Sequence, residues 1–232
     1  MPKVKVATCW DDGVTTDIRL IALLHKYNAK ATFNLNPGSA PQFTDSPTWK
    51  TAGENGWSRF GFRPGKVGLR DLKAVYGDFC VASHNWRHET VGRCTDQEFI
   101  KAAVDARKFL EDTFQKPCPD FAWPCGVVSP ETIALLHENG FQYGRTCKYS
   151  EDITTCEEPL ALNSNCHFLD DNFYEKFQNA KKYGAFYFWG HSYETLNYEP
   201  LWQQLEYKLA YLANDPDVEW VDVIDLVSLL HK

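Results

Sequence analysis

Along the whole of this 232-residue chain, short apolar runs alternate with longer stretches of helical period. Strand candidates are Lys3–Cys9, Ala31–Leu35, Phe79–Ala82, Asp120–Trp123, Phe141–Gly144, Ala185–Gly190 and Val218–Trp220. Helix candidates are Thr15–Tyr27, Gly68–Tyr76, Thr95–Phe114, Ser129–Asn139, Asn172–Lys181, Glu199–Ala213 and Asp222–Leu230. Thr95 with Glu98 forms a capping-box pattern, Ser129 precedes the first-turn residue Pro130, and Asn139-Gly140 supplies a helix stop. Strands that alternate with helices pair in parallel through βαβ crossovers. About seven such units favour an irregular (β/α)7-type barrel of mostly parallel strands over an open doubly wound sheet, and in such barrels functional residues gather at the C-terminal ends of strands.

Composition narrows the class further. Apolar residues make up 44% of the chain and charged residues 24%, the balance of an ordinary globular enzyme. A net charge of -7 without a basic stripe argues against nucleic acid or an anionic membrane as partner. No apolar stretch approaches the roughly 18 residues that span a bilayer. Met1-Pro2-Lys3-Val4-Lys5 runs straight into the first strand pattern, leaving no room for a signal peptide, so a cytoplasmic location is expected. The eight cysteines are scattered without a Cys-x-x-Cys, which reads as reduced thiols that behave as small hydrophobes. Residues 36–67, rich in Pro, Gly, Ser and Trp, suggest an active-site loop or insertion, and 148–165 are similarly irregular. No domain boundary is visible, and residues 1–232 are read as one catalytic domain.

Two separated signatures carry the chemistry. Trp10-Asp11-Asp12-Gly13 ends one apolar run, and His84-Asn85-Trp86-Arg87-His88 follows another. One carboxylate and two imidazoles make a three-ligand site for a divalent ion, with positions left open for water and substrate. The second aspartate is then free to act as a base. Residues i and i+4 share a helical face, which would bring both imidazoles to one ion. The intervening residues lack the glutamate of the zincin pattern. On its own, Asp12-Gly13 is equally a helix start, and each histidine is equally a core or surface residue. Phe186–Gly190 then presents His191 after a strongly apolar strand, where an imidazole suits a general acid near neutral pH. Pro124-Cys125-Gly126 fixes a turn whose backbone N–H groups can face an oxyanion.

These four elements, in this order and over nearly the whole chain, resemble the polysaccharide deacetylase family, carbohydrate esterase family four. The family's Thr-Phe-Asp-Asp-Gly motif looks like Cys9–Gly13, and its His-Ser/Thr-x-x-His motif is matched by His84 and His88. Its Arg-x-Pro-Tyr-Gly motif looks like Ala122–Gly126, and its Leu-x-His motif is similar to Trp189-Gly190-His191. The resemblance implies a metal-dependent deacetylase with Asp11 as base, Asp12, His84 and His88 as metal ligands and His191 as acid. Zinc is the first choice of ion, with cobalt, nickel, iron and manganese also compatible with that donor set. The motif arginine is Ala122 here and the motif tyrosine is Cys125, and Asp170-Asp171 is a poor match for the Asp/Trp motif that precedes the last histidine. Arg145, after a neighbouring strand, is the candidate to reach Asp11 in place of the lost arginine.

The expected substrate is an N- or O-acetylated carbohydrate or another small acylated molecule, with Trp123, Pro124, Cys125, Trp189 and Tyr193 as substrate-binding candidates. Trp49, Trp57 and Trp86 are further rings placed to stack on sugars or to complete the core. Three other readings compete. The same site could hydrolyse a non-sugar amide or formamide; the barrel could bind carbohydrate without catalysis; or a two-His, one-carboxylate set could serve a non-haem iron oxygenase, which predicts an antiparallel jelly roll.

Overall fold

The first strand shows how the barrel is built. In the computed structural model, which describes residues 3–230, β1 (Val4–Asp11) is buried along nearly its whole length. Its side chains alternate between two layers. Val4, Val6 and Trp10 enter the layer between sheet and helices, whereas Ala7 and Cys9 enter the barrel interior. Strand β10 (Ala185–Gly190) repeats the alternation, with Phe186 and Phe188 outward and Ala185, Tyr187 and Trp189 inward. The Cys9 Sγ and Tyr187 hydroxyl lie 3.0 Å apart across that interior. Met1, Pro2, His231 and Lys232 lie outside the described residues, and with them the start of the chain that was read as leading into the first strand.

The remaining elements follow in chain order. After β1 come α1 (Asp17–Lys26), β2 (Thr32–Leu35), the short pair β3 (Thr48–Trp49) and β4 (Phe62–Arg63), α2 (Leu72–Tyr76) and β5 (Cys80–Ser83). Then come α3 (Asp96–Phe114), β6 (Asp120–Ala122), α4 (Pro130–Glu138), β7 (Tyr143–Tyr149), β8 (Leu162–Ser164), β9 (Cys166–His167) and α5 (Phe173–Ala180). Strand β10, α6 (Glu199–Ala213), β11 (Val218–Trp220) and α7 (Val223–Leu226) complete the chain. The strands pair in the order β8-β7-β6-β5-β2-β1-β10-β9, all in parallel, with β11 alongside the start of β1. Since β8 and β9 are separated by Asn165 alone, one chain segment nearly closes the ring. The Asn165 backbone N–H donates to the Tyr187 carbonyl, and its side-chain oxygen accepts from the Tyr187 N–H, both at 2.7 Å. The architecture is thus the irregular (β/α)7-type barrel expected, and its parallel ladders rule out a jelly roll.

Several element ends differ from the sequence reading for identifiable reasons. The capping box at Thr95 forms in full, with Glu98 N–H donating to Thr95 Oγ1 and Thr95 N–H to the Glu98 carboxylate. Strand β7 starts two residues late and runs on to Tyr149, and α2 occupies only the last turn of Gly68–Tyr76. The last helix stops at Leu226 and continues as a 3-10 turn. The segment 148–165, read as irregular, contains β8, and β9 follows directly. Two- and three-residue strands are too short to show a period. Within 36–67, β3 and β4 pair antiparallel as a flap across the barrel mouth. Among the described residues no helix is long and apolar enough to cross a membrane.

One buried group makes stability depend on pH. Asp120 on β6 is 1% exposed. Burial pushes its carboxyl up to about 7 against the lowering effect of the hydrogen bond donated by the Cys80 thiol, with Asp222 and Asp225 adding repulsion. A folded-state value above the unfolded one means the native protein holds its proton more tightly. Its contribution is therefore fully present below the unfolded carboxyl range, near pH 4, and is lost as pH rises through about 7. Asp120→Asn is expected to gain stability over the native chain progressively between about pH 4 and about pH 7, levelling off above that, as measured by urea denaturation. A constant difference across that range would exclude this origin.

Candidate active site

Asp11, His84 and His191 stand at C-terminal strand ends, whereas Arg145 lies inside its strand. Asp11 closes β1, His84 follows β5, Arg145 lies in β7, and His191 follows β10. Neighbouring side chains on a strand point to opposite faces, so Asp11 and Asp12 share one cavity only if the backbone turns between them. It does: Asp12 has φ 82, in the left-handed region that costs a non-glycine residue roughly 1–3 kcal/mol. The turn is held by the Asp12 N–H donating to the Asn34 carbonyl and by Lys66 Nζ donating to the Asp12 carbonyl. His84 Nε2 consequently stands 3.9 Å from both Asp11 Oδ2 and Asp12 Oδ1.

His84 and His88 do not share a helical face. Residues 84–90 form a loop in which Asn85 (φ 63) and His88 (φ 67) are left-handed. Asn85 Oδ1 accepts from the Trp86 N–H, and the Thr90 hydroxyl donates to the His88 carbonyl. This loop brings the rings edge to face at 4.8 Å between centroids. One ligand atom from each of Asp12, His84 and His88 lies within 4.8 Å of the others.

The hydrogen bonds around this trio suit a cation. His84 Nδ1 pairs with the Ala122 carbonyl at 2.8 Å, which places its proton there and leaves Nε2 with a free lone pair. Burial pushes His84 down to about 4, against the pull of Asp11 and Asp12, so the imidazole is neutral at physiological pH. Burial would raise Asp12, but Lys66, His191 and His84 hold it below the usual carboxylate range. A neutral imidazole and an ionised carboxylate are the forms that bind divalent ions.

Asp11 is 2% exposed and differently held. Its Oδ1 accepts from the Asn34 side-chain amide at 2.6 Å, and its Oδ2 accepts from Arg145 Nη2. Burial would raise its pKa, yet Arg145, His84, His191 and the Asn34 amide together keep it well below the carboxylate range. Arg145 is itself buried, packs 4.3 Å above the Trp189 ring, and stands in ladder register with Ala122. The guanidinium beside Asp11 thus comes from the strand next to the one that carries the arginine in the family motif.

His191 faces the same carboxylates, with Nε2 3.8 Å from Asp11 Oδ2 and 3.9 Å from Asp12 Oδ2. Its Nδ1 lies 3.2 Å from Glu194 Oε2. Burial would lower this imidazole, but Glu194, Asp11 and Asp12 raise it above its ordinary value. Glu194 also meets His167 and Arg59. Sequence reading missed Asn34, Glu194, His167, Arg59 and Lys66. Of these only Glu194 left a local trace, three residues after His191, where its carboxylate also accepts from the His191 N–H.

Asp11, Asp12, Lys66, His84, His88 and His191 line a cavity of about 810 Å³. Trp123, Cys125, Trp189 and Tyr193 are on its wall, whereas Pro124 is buried beneath the turn and is not among the lining residues. Trp123 presents only an edge: it is stacked on Phe99, and its Nε1 donates to the Leu160 carbonyl. Trp57 reaches the cavity from the flap. Trp86 instead packs edge-on to Phe109, and Trp49 rests on Phe62. Cys125 adopts φ 56, and all eight cysteines are unpaired.

Comparison with known proteins agrees with this architecture. The family model described as polysaccharide deacetylase matches residues 1–144. Among curated proteins, none matches the chain. The Xyl-CE4 domain of a multidomain xylanase from the hindgut metagenome of Trinervitermes trinervoides superposes with TM-score 0.59 at 14% identity, covering 97% of this chain and 90% of that one. A family 4 acetyl xylan esterase from Clostridium thermocellum, solved with a cobalt ion, gives 0.58 at 14% identity, over 97% and 91% of the two chains. A Streptococcus pyogenes deacetylase in complex with acetate gives 0.50 at 18% identity, over 67% of this chain and 61% of its own. The chain therefore spans less than two thirds of that last relative.

The Arg145–Asp11 pair makes a measurable demand on folding. Arg145→Ala leaves a buried carboxylate uncompensated and is expected to cost about 3–5 kcal/mol in urea denaturation. Adding Ala122→Arg to that variant, from the ladder partner position, is expected to recover most of the loss. No recovery in the double variant would show that the two positions are not interchangeable.

Proposed function

Because the chain belongs to the polysaccharide deacetylase family, we propose that it hydrolyses an acyl group, acetyl first of all, from an N- or O-acetylated carbohydrate. The observation that carries this reading is the convergence of Asp12, His84 and His88 on one point, with the Asp11–Arg145 pair alongside. Zinc is the ion we assign first; the Asp/His/His donor set equally admits cobalt, nickel, iron or manganese. The chemistry such an ion would supply there is polarisation of an acyl oxygen and acidification of a water.

The chain's own groups account for the proton movements. Asp11, held well below the usual carboxylate range by Arg145, is ionised at neutral pH and a weak base, so it takes a proton only from a water made more acidic than bulk water. Arg145 and Asn34 hold its carboxylate still and keep the charge in place between turnovers. The backbone N–H of Cys125, on the turn facing the cavity, is the candidate donor to the tetrahedral oxyanion, a contact of the kind worth about 3 kcal/mol. His191, held above its ordinary pKa, carries the proton that the departing amine or alcohol needs. Trp57 offers exposed ring surface to a sugar, and the largely buried Trp189 and Tyr193, with the edge of Trp123 and Cys125, complete the wall.

Acetate release from acetylated glucosamine oligomers and acetylated xylan, beside formamides and simple acetamides, tests this reading. Release from a sugar substrate supports it; activity confined to non-sugar amides would move the substrate class while keeping the site. Asp11→Asn is expected to reduce turnover by at least about a thousandfold while retaining one equivalent of ion by metal analysis. Full activity in that variant would remove Asp11 as the base, and failure of the native protein to retain any divalent ion would remove the proposal.

A further inference from the structure

Beside the proposed ion site lies a second trio of potential ligands, His167, His191 and Glu194, whose donor atoms also fall within 4.8 Å of one another. Its hydrogen bonds suit proton control better than a cation. The Leu169 N–H donates to His167 Nδ1 at 3.2 Å, so His167 carries its proton on Nε2 and gives it to Glu194 Oε2 at 2.6 Å. Oε2 also receives the His191 N–H at 3.1 Å and faces His191 Nδ1 at 3.2 Å. The other oxygen, Oε1, meets the Arg59 guanidinium at 3.0 Å, where a second cation would be repelled. Glu194 is thus a buried acceptor with every near neighbour donating to it. The approach of His167 requires Gly190, because a Cβ there would stand 2.2 Å from Phe168 and 3.3 Å from His167 Nε2.

The geometry points to Glu194, His167 and Arg59 as positioning residues that hold His191 with Nδ1–H on the carboxylate and Nε2 toward the reacting atoms. This rests on the deacylation reading and adds what that reading lacks, a reason for the orientation of the acid and a link from the acid to the flap. Arg59 lies between β3 and β4, fixed by reciprocal backbone hydrogen bonds with Phe62 at 2.8 and 2.9 Å. From that turn it crosses to Glu194, 135 positions further along the chain. Its flap neighbour Trp57 packs edge-on to Tyr193 at 5.2 Å, and Tyr193 lies over the His191 ring at 4.8 Å. Trp57 is 61% exposed and lines the cavity, so a substrate ring seated against it also seats the turn that carries Arg59. The flap then serves both recognition and the aim of the leaving-group proton.

The test separates proton delivery from the rest of the reaction by leaving group. A 4-nitrophenolate departs without a proton, whereas a sugar amine needs one. Arg59→Ala is expected to lower kcat on an acetamido sugar about tenfold with KM nearly unchanged, to affect 4-nitrophenyl acetate far less, and to be largely rescued by Arg59→Lys. Glu194→Gln is expected to show the same pattern at about a hundredfold. Equal losses on both substrates, no loss on either, or no rescue by lysine would overturn the assignment. Nitrogen-15 NMR of the imidazoles reads the same claim without turnover. The His191 Nδ1 proton should be hydrogen-bonded in the native protein and released in Glu194→Ala, which has no acceptor there, and an unchanged signal would overturn the proposal even in an inactive protein. Metal analysis should give one ion per chain in the native protein and in Glu194→Gln. A second ion, lost with Glu194, would make the trio a cation site instead. A native protein that turns over neither substrate but shows the expected imidazole signal would instead refute deacylation while leaving the positioning intact.

Discussion

Two ionised carboxylates on consecutive residues repel each other, and here Asp11 is buried while Asp12 is only partly open to solvent. In a medium of low effective dielectric that repulsion protonates one of them unless cations stand close by. Here each aspartate has its own source of positive potential. Arg145 lies against Asp11, and Lys66 and the imidazoles lie near Asp12. The division separates the two groups chemically although they are neighbours in sequence. One is locked into a buried pair and cannot easily leave it; the other, partly open to the cavity, keeps an oxygen available for a cation. The left-handed backbone at Asp12 makes the division possible, since an extended residue there would send its side chain to the opposite face.

The barrel was legible in the sequence because its signals are long and local. β10 and α6 match their sequence ranges, and the Thr95 box needs only four residues to declare itself. Legibility fails where an element depends on something distant. β8 is a strand because it pairs with β7 and β9 because it pairs with β10, with Asn165 bonded to Tyr187 at the seam between them, and neither short segment has a pattern of its own. The pair His84 and His88 shows a subtler failure: a spacing of four can be met by a helical turn or by a loop with two left-handed residues. Asn85, a residue type that tolerates that conformation, was the available sign of the second solution.

The same reasoning explains which site residues were visible. Asp11, Asp12, His84, His88 and His191 stand beside strand ends in short recognisable runs. Asn34, His167 and Arg59 act through contacts that only the closed barrel creates, 23 residues from Asp11 in one case and 135 from Glu194 in another. The aromatic content of 15% was a weaker guide still. Trp57 and Trp189 reach the cavity, but Trp86 and most of Trp123 are committed to packing, and nothing in their local sequence separates the two groups.

The pairing of Ala122 with Arg145 carries a broader lesson. In a parallel sheet, two positions 23 residues apart in sequence are lateral neighbours, so a functional guanidinium can be relocated sideways with no movement of the backbone. Any pattern written along a single strand records such a relocation as a deletion and pronounces the protein inert. Reading across the rungs as well as along the rails recovers the missing charge, and it gives a way to tell truly disarmed members of a fold from those that have merely moved a tool to the adjacent shelf.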